Sequence, residues 1–349
     1  MTRPEITVAV TALNAIDSPG PGVPVIRGLK ESMAFDAHII GLAYESLEPG
    51  IYMHDIVDKV YQIPYPSAGI ESLMTRLEYI HSREKIDVII PNFDAELFPF
   101  IRLEDRLKSM GIQMLLPTEA QFEERHKINL PEFGRKHNIK VPESKAIYSP
   151  EDLLRNGNDE IKFPLLVKGK YYDAYVAFTT EQAREYFHKI SSKWGLPIIL
   201  QQYVKGIEYN VIGLGDGKGN RIAAVPIRKQ YITDKGKAWG GISVGDEKML
   251  RLTDHFIKST KWRGPFELEL MKDDKNEFWL LEINPRIPAW VYLAVGVGQN
   301  IPEAIVHLAL GEEVKAFESY EIGKMFIRYS WDMIVDLKEY QQISAYGEL

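Results

Sequence analysis

Two stretches of the chain set carboxylates among apolar residues: Phe266-Glu267-Leu268-Glu269-Leu270, and then Leu280-Leu281-Glu282-Ile283-Asn284-Pro285-Arg286. Side chains of a strand alternate between faces, so Glu267 and Glu269 share one face, as do Glu282 and Asn284. The turn-forming Asp273-Asp274-Lys275-Asn276 between the stretches predicts a hairpin that sets the two acidic faces opposite each other. Opposed carboxylates repel unless a cation sits between them. Two carboxylates and an amide oxygen are hard ligands of the kind that hold Mg²⁺ together with substrate phosphates. Arg286 follows near the same face and can stabilise an anion. The plain alternative is a solvated acidic strand face, which the flanking leucines restrict to one side.

Lys168 ends the apolar run Phe163-Pro164-Leu165-Leu166-Val167 and can point a fixed ammonium into a site. A solvated strand end is the competing reading. In Leu200-Gln201-Gln202-Tyr203-Val204-Lys205-Gly206-Ile207-Glu208, a strand edge, a glycine turn and an acid can hold a purine edge and ribose hydroxyls. Other strings carry less. The 8 histidines are scattered without metal-ligand spacing. Gly241-Ile242-Ser243-Val244-Gly245 matches a nucleophile-elbow string, but it follows the polar segment 234–240 and reads as a flexible loop. Gly20 and Gly22 lack the third glycine of a dinucleotide fingerprint, although they permit close backbone approach to a ligand. Asp216-Gly217-Lys218-Gly219 reads as a hairpin turn.

The elements that must position these residues change character along the chain. Strands at 6–10, 37–43, 87–91 and 112–116 alternate with helices near 23–34, 73–84 and 95–109, which predicts a parallel sheet with helices on both faces. Residues 118–138 read as helical with a break near Pro131. Beyond 139 strands come in pairs: 165–169 with 175–179, 198–204, 208–214, 222–228, and the acidic hairpin. Helices are expected at 180–192, capped by Thr180, and at 246–261. The tail, 321–349, has no clear assignment. The chain has 349 residues, of which 45% are hydrophobic and 26% charged, an ordinary globular balance. A net charge of −7 argues against a general nucleic-acid surface. The absence of cysteine excludes disulfides, thiolate metal sites and cysteine nucleophiles. With no long apolar run and no apolar leader after Met1, a cytoplasmic protein away from membranes is the default expectation.

Taken in order, the chemical pieces resemble the ATP-grasp superfamily. The pieces are Lys127 after His126, Lys168, the hinge Gln201 to Glu208, Glu269, and Glu282-Ile283-Asn284. The Asn284-Pro285-Arg286 ending and Ile90-Pro91-Asn92-Phe93-Asp94-Ala95-Glu96-Leu97 resemble its carbamoyl-phosphate synthetase and biotin carboxylase branch. The resemblance implies an α/β and α+β protein: a Rossmann-like pre-ATP-grasp domain (1–117), linker helices and a small subdomain (118–205), a core with the metal hairpin (206–320) and a tail (321–349). It implies that Lys127 and Lys168 contact ATP phosphates, that Gln201, Gln202 and Val204 line the adenine, and that Glu208 holds the ribose. Glu269, Glu282 and Asn284 would bind Mg²⁺, with Mn²⁺ as an alternative. Arg286 would stabilise the transferring group. Where some relatives carry Arg this chain has Glu267, so further charge is expected from Arg228 and Lys229. The lid after Lys168, Gly169-Lys170-Tyr171-Tyr172-Asp173-Ala174, is short and bulky.

The activity so implied is ATP-dependent activation of a carboxylate as an acyl phosphate, then capture by an amine or other nucleophile. The segment 226–248 is expected to be a mobile basic loop over the second substrate, carrying Arg228, Lys229, Asp234, Lys235 and Lys237 with Gly236, Gly240 and Gly241 as hinges. The alternatives are a nucleotide-binding regulatory protein without ligase chemistry and a bicarbonate-activating enzyme. Small-molecule substrates are the expected partners, and a homodimer is open.

Overall fold

The computed structural model describes residues 3–15, 19–155, 161–170, 173–232, 238–330 and 332–349. Tyr171 and Tyr172 of the lid, and Asp234, Lys235, Gly236 and Lys237 of the expected loop, lie outside them. The chain divides into two compact units. One comprises Met1–Phe122, Val211–Glu267 and Asn284–Leu349, the other Glu123–Asn210 and Leu268–Ile283. No helix among the described residues is long and apolar enough to cross a membrane.

The first unit opens on a parallel sheet of β1 (Glu5–Val10), β2 (Asp36–Ala43), β3 (Lys59–Gln62) and β4 (Val88–Ile90), ordered β3-β2-β1-β4. Its strands are apolar on both sides, as two-sided burial requires. Val8, Val10 and Ile39 pack with Val25, Ile26 and Leu29 of the helix Gly22–Lys30. Ala9, Ile40 and Leu42 face Leu73, Leu77 and Ile80 of the helix Ile70–Glu84, and Leu97 and Phe100 of the helix Asp94–Ser109. Strand–helix alternation therefore holds, with two corrections. β3 was not expected. The apolar run 112–116 is no strand: it makes one bridge, Val88 with Gln113. The tail completes the β3 edge instead, where Val60 and Leu349 exchange backbone hydrogen bonds of 2.8 and 2.9 Å and Gln62 N–H reaches Gly347 at 2.8 Å. Gly20 and Gly22 do permit a close approach, but to the chain itself, since a Cβ on Gly22 would lie 2.3 Å from the Thr11 carbonyl oxygen.

In the second unit β5 (Ser144–Ile147), β6 (Leu165–Gly169), β7 (Ala174–Ala177) and β8 (Ile198–Gln202) form an antiparallel sheet ordered β5-β8-β6-β7. One face packs on the helix Thr180–Trp194 through Leu165, Val167, Ile198 and Leu200 against Ala183, Phe187 and Ile190. The cap of that helix is Thr179, whose hydroxyl accepts from Gln182 N at 3.3 Å, and not Thr180. The helical stretch before it breaks over 125–129. Pro131 lies in the first turn of the second helix, Leu130–His137, where its missing N–H costs nothing.

The third sheet is ordered β13-β12-β9-β10-β11-β14, with β9 (Gly206–Asp216), β10 (Arg221–Ile232), β11 (Ala238–Ser243), β12 (Arg263–Asp273), β13 (Phe278–Asn284) and β14 (Met325–Ile327). Turn chemistry sets both hairpins. Asp216 Oδ1 takes the N–H groups of Lys218 and Asn220 at 2.7 and 2.9 Å. Asp273 Oδ1 takes those of Lys275 and Glu277 at 3.0 and 2.8 Å. The expected mobile loop is corrected by this sheet. Residues up to 232 and from 238 to 243 are paired strands, with Arg228 opposite Ile242 and Lys229 opposite Gly241. Gly240 and Gly241 are thus ladder residues and not hinges. Ser243, buried at the end of β11, donates its hydroxyl to Glu321 O at 2.9 Å and accepts Lys324 N at 3.0 Å, a structural role that leaves no exposed nucleophile.

Candidate functional site

In the second unit the pleat of β6 sends Leu165 and Val167 into the core and turns Lys168 to the opposite face. On that face Lys168 sits beside Ile199 and Leu166 beside Gln201. Lys168 is half-buried among charges. Burial pulls its ammonium down to about 8, and the neighbouring Lys127 ammonium acts in the same direction. The carboxylates of Glu282, Glu269 and Glu208 oppose that fall. Lys127 Nζ lies 3.1 Å from Glu282 Oε2. The structure thus brings Lys127, Lys168, Glu208, Glu269 and Glu282 into one cluster. Gln201 is buried, and its Oε1 has no hydrogen-bond partner among the described residues. Gln202 differs from its neighbour: its side-chain oxygen accepts Glu143 N at 3.3 Å, tying β8 to β5. Val204 is buried just past the end of β8.

The first unit holds a second cluster around Glu267 of β12, which is only 5% exposed. Glu267 Oε1 accepts Trp290 Nε1 at 2.7 Å. Its Oε2 accepts Asn284 Nδ2 at 3.2 Å and Arg286 Nη1 at 3.4 Å. Arg286 Nε donates to Asp94 Oδ2 at 2.9 Å. Arg328, just past β14, is half-buried, and its guanidinium falls to about 10 because burial outweighs the pull of Glu267. The carboxylate standing where an arginine was expected is therefore the hub of an ionic network. Of the two further cations, Arg228 is exposed on β10 beside Gln230, and Lys229 is half-buried on the alternate side of that strand.

The roles of four residues in this network went unread. In the sequence, Glu267 reads as part of the acidic strand face with Glu269 and as standing where some relatives carry arginine, Asp94 enters only within a resemblance, and Trp290 is left aside. Arg328 lay in the unassigned tail. An acid buried in an apolar strand needs donors, and Trp290 and Arg286 close behind it were the available signal.

Comparison with known proteins bears on the fold that carries these clusters. A family profile described as ATP-grasp in the biosynthetic pathway with Ter operon matches residues 196–326. The large chain of carbamoyl phosphate synthase from Clostridium acetobutylicum is 22% identical over 285 residues, covering 75% of this chain and 25% of that protein's length. Biotin carboxylase from Campylobacter jejuni, solved with β-γ-ATP, superposes with a TM-score of 0.71 at 16% identity over 91% of this chain and 74% of that one. The chain has the ATP-grasp fold. The fold recurs in N5-carboxyaminoimidazole ribonucleotide synthetase from Thermus thermophilus, with a TM-score of 0.65 at 13% identity over 88% of this chain and 79% of that one. Strand pairing beyond residue 139 and the parallel N-terminal sheet both agree with the ATP-grasp expectation.

The lysine cluster has a measurable consequence without any ligand. The unfolded chain keeps the Lys168 proton up to its usual 10.5, whereas the folded state loses it near 8. Between those values the unfolded state binds more protons, so stability rises with pH. Urea midpoints of the nucleotide-free and metal-free protein should increase from about 8 towards 10.5 in wild type. In Lys168→Met that rise should flatten, and stability below the window should increase. Parallel curves for the two proteins would mean that water solvates the ammonium.

Proposed function

We propose that this chain is an ATP-dependent ligase that activates a carboxylate as an acyl phosphate and couples it to an amine, releasing ADP and phosphate. The observation that carries the reading is the placement of Lys127 and Lys168 close enough to repel, with Glu269 and Glu282 beside them. Two ammonium groups held together favour a polyanion, and the adjoining carboxylate pair favours a divalent cation. That donor set fits Mg²⁺, with Glu269 and Glu282 as its carboxylates. Bound there, the ion would neutralise phosphate charge and polarise the transferring group.

The chain's own residues have distinct parts in this reading. Lys127 and Lys168 hold phosphate oxygens. Glu282, paired with Lys127, is one of the carboxylates that would hold the metal when it is bound. The buried, unpartnered Oε1 of Gln201 accepts a hydrogen bond from the adenine amino group, and Glu208 takes the ribose hydroxyls. Arg286, oriented by Glu267 and Asp94, presents its guanidinium to the carboxylate that receives the phosphoryl group. Arg328 adds a second charge to that region, in place of Arg228 and Lys229. Catalysis rests on positioning and charge neutralisation, as phosphoryl transfer allows.

Two measurements test this. Mg²⁺-ATP at 100 times its dissociation constant should stabilise the fold by about 2.7 kcal/mol. Pools of carboxylates and amines should then elicit ADP release, with the product identified by mass. No thermal shift at several millimolar Mg²⁺-ATP overturns the nucleotide site. ADP release that needs bicarbonate and no amine would replace amide formation by bicarbonate activation.

A further inference from the structure

At the carboxyl ends of the parallel strands, residues following each strand converge: Thr11 after β1, Tyr44 and Glu48 after β2, Tyr65 after β3, and Phe93 and Glu96 after β4. Open α/β sheets bind ligands at this edge. Tyr44 stacks on Tyr65 with ring centroids 5.4 Å apart, and Phe93 tilts towards Tyr44 at 6.3 Å. Tyr65 and Phe93 are 48% and 41% exposed, so the aromatic rim is open to solvent.

Beneath the rim lie carboxylates. Glu96 is fully buried and accepts the hydroxyls of Thr11 and Tyr44, together with the N–H groups of Asn92 and Phe93 at 2.8 Å each. Glu45 accepts the Tyr65 hydroxyl. Glu48 is 4% exposed. Its Oε1 takes the N–H groups of Tyr44 and Glu45 at 2.6 and 3.1 Å, while its buried Oε2 has no hydrogen-bond partner. None of these three acids is hydrogen-bonded or ion-paired to a Lys, Arg or His among the described residues. The charges acting on Glu48 are themselves carboxylates, Glu96 and Glu45, and burial raises its carboxyl above the usual range.

A buried carboxylate oxygen with no donor, close to Tyr44, Tyr65 and the acids Glu96 and Glu45, is complementary to an organic cation. Ring faces attract an ammonium and cover its alkyl chain, and the carboxylate supplies the counter-charge. We propose that this edge binds the amine substrate of the ligase in its ammonium form, with Glu48 Oε2 as its ion-pair partner and Tyr44, Tyr65 and Phe93 around its carbon chain. The proposal rests on the ligase reading for the word substrate, but the binding itself does not. Chain connectivity also supports it: Phe93 of the rim is followed directly by Asp94, which holds Arg286. An amine seated here lies beside the residue that positions the activating guanidinium.

The test titrates the full chain, without nucleotide, with n-butylammonium chloride, using n-butanol and sodium butyrate as isosteric controls and calorimetry as the readout. Butylammonium should bind in the millimolar range and at least about tenfold tighter than butanol or butyrate. Glu48→Gln should weaken it by about tenfold or more, and so should Tyr65→Ala, which removes a half-exposed ring and its hydroxyl bond to Glu45. Both variants should keep the wild-type shift in melting temperature with Mg²⁺-ATP. Butanol binding as well as butylammonium, no binding at several tens of millimolar, or equal affinities in both variants would overturn the site and leave Glu48 as a carboxyl neutralised by its own proton. If the amine binds but no pool elicits ADP release, the site stands and the ligase reading falls. If ADP is released but the KM for amine is unchanged in Glu48→Gln, the reverse holds.

Discussion

Glu282→Gln is expected to lose ADP release by a factor of about 10²–10³ while folding as wild type, the order seen when one preorganised charge is removed from a reacting centre. Glu282 is 28% exposed, so exchanging its charge for an amide of equal shape costs the apo fold little. Its loss leaves Lys127 without its 3.1 Å partner and Lys168 with two opposing carboxylates, Glu208 and Glu269, instead of three. Apo stability therefore changes by about 1 kcal/mol or less. The catalytic effect is larger because charge neutralisation is most of what the protein supplies in phosphoryl transfer. A divalent cation held by one carboxylate should also need a higher Mg²⁺ concentration. The variant's Mg²⁺ dependence, measured beside its melting temperature, separates this from misfolding. Near-wild-type turnover in the presence of an identified substrate pair would remove Glu282 from the metal site.

Why some of this was legible in the sequence and some not follows from the range of the interactions. Strand periodicity, turn residues and helix lengths are local, so the parallel N-terminal sheet, the Asp216 and Asp273 turns and the acidic hairpin could be read directly. Lys168 could be read because an apolar strand that alternates into a core must turn its charged end the other way. The β10–β11 ladder was misread as a loop because glycines and charges suggested flexibility. Gly240 and Gly241 are held as strand on both sides, by Tyr231 and Lys229 of β10 and by the distant Ile327 and Phe326 of β14. The tail failed for the same reason: its partners, Val60 and Gln62, lie hundreds of residues away. Glu267 shows the limit at the site. Its strand face was right, but its role depends on Trp290, Arg286 and Arg328, none of which lies on that strand.

Glu267→Ala should cost about 3–5 kcal/mol of stability, the penalty for removing one member of a buried ionic network. The carboxylate is 5% exposed and accepts Trp290 Nε1 at 2.7 Å, Asn284 Nδ2 at 3.2 Å and Arg286 Nη1 at 3.4 Å. Alanine removes the acceptor of Trp290 Nε1 and an acceptor of Asn284 Nδ2. Arg286 would keep the Ile287 carbonyl oxygen at 3.4 Å and Asp94, which is 46% exposed and therefore a weaker counter-charge. Arg328 would lose the carboxylate that opposes its desolvation. Because that last cost comes from an uncompensated cation, Arg328→Met added to Glu267→Ala should recover part of the loss. Arg328→Met alone should be mildly destabilising or neutral. Glu267→Gln should fall between, keeping an acceptor for Trp290 while setting an NH₂ group against other donors. Urea unfolding of the four variants closes a double-mutant cycle for the Ala and Met pair, and a coupling near zero would separate Arg328 from Glu267. A Glu267→Ala protein within about 1 kcal/mol of wild type would mean that the network is held by solvent and not by this carboxylate.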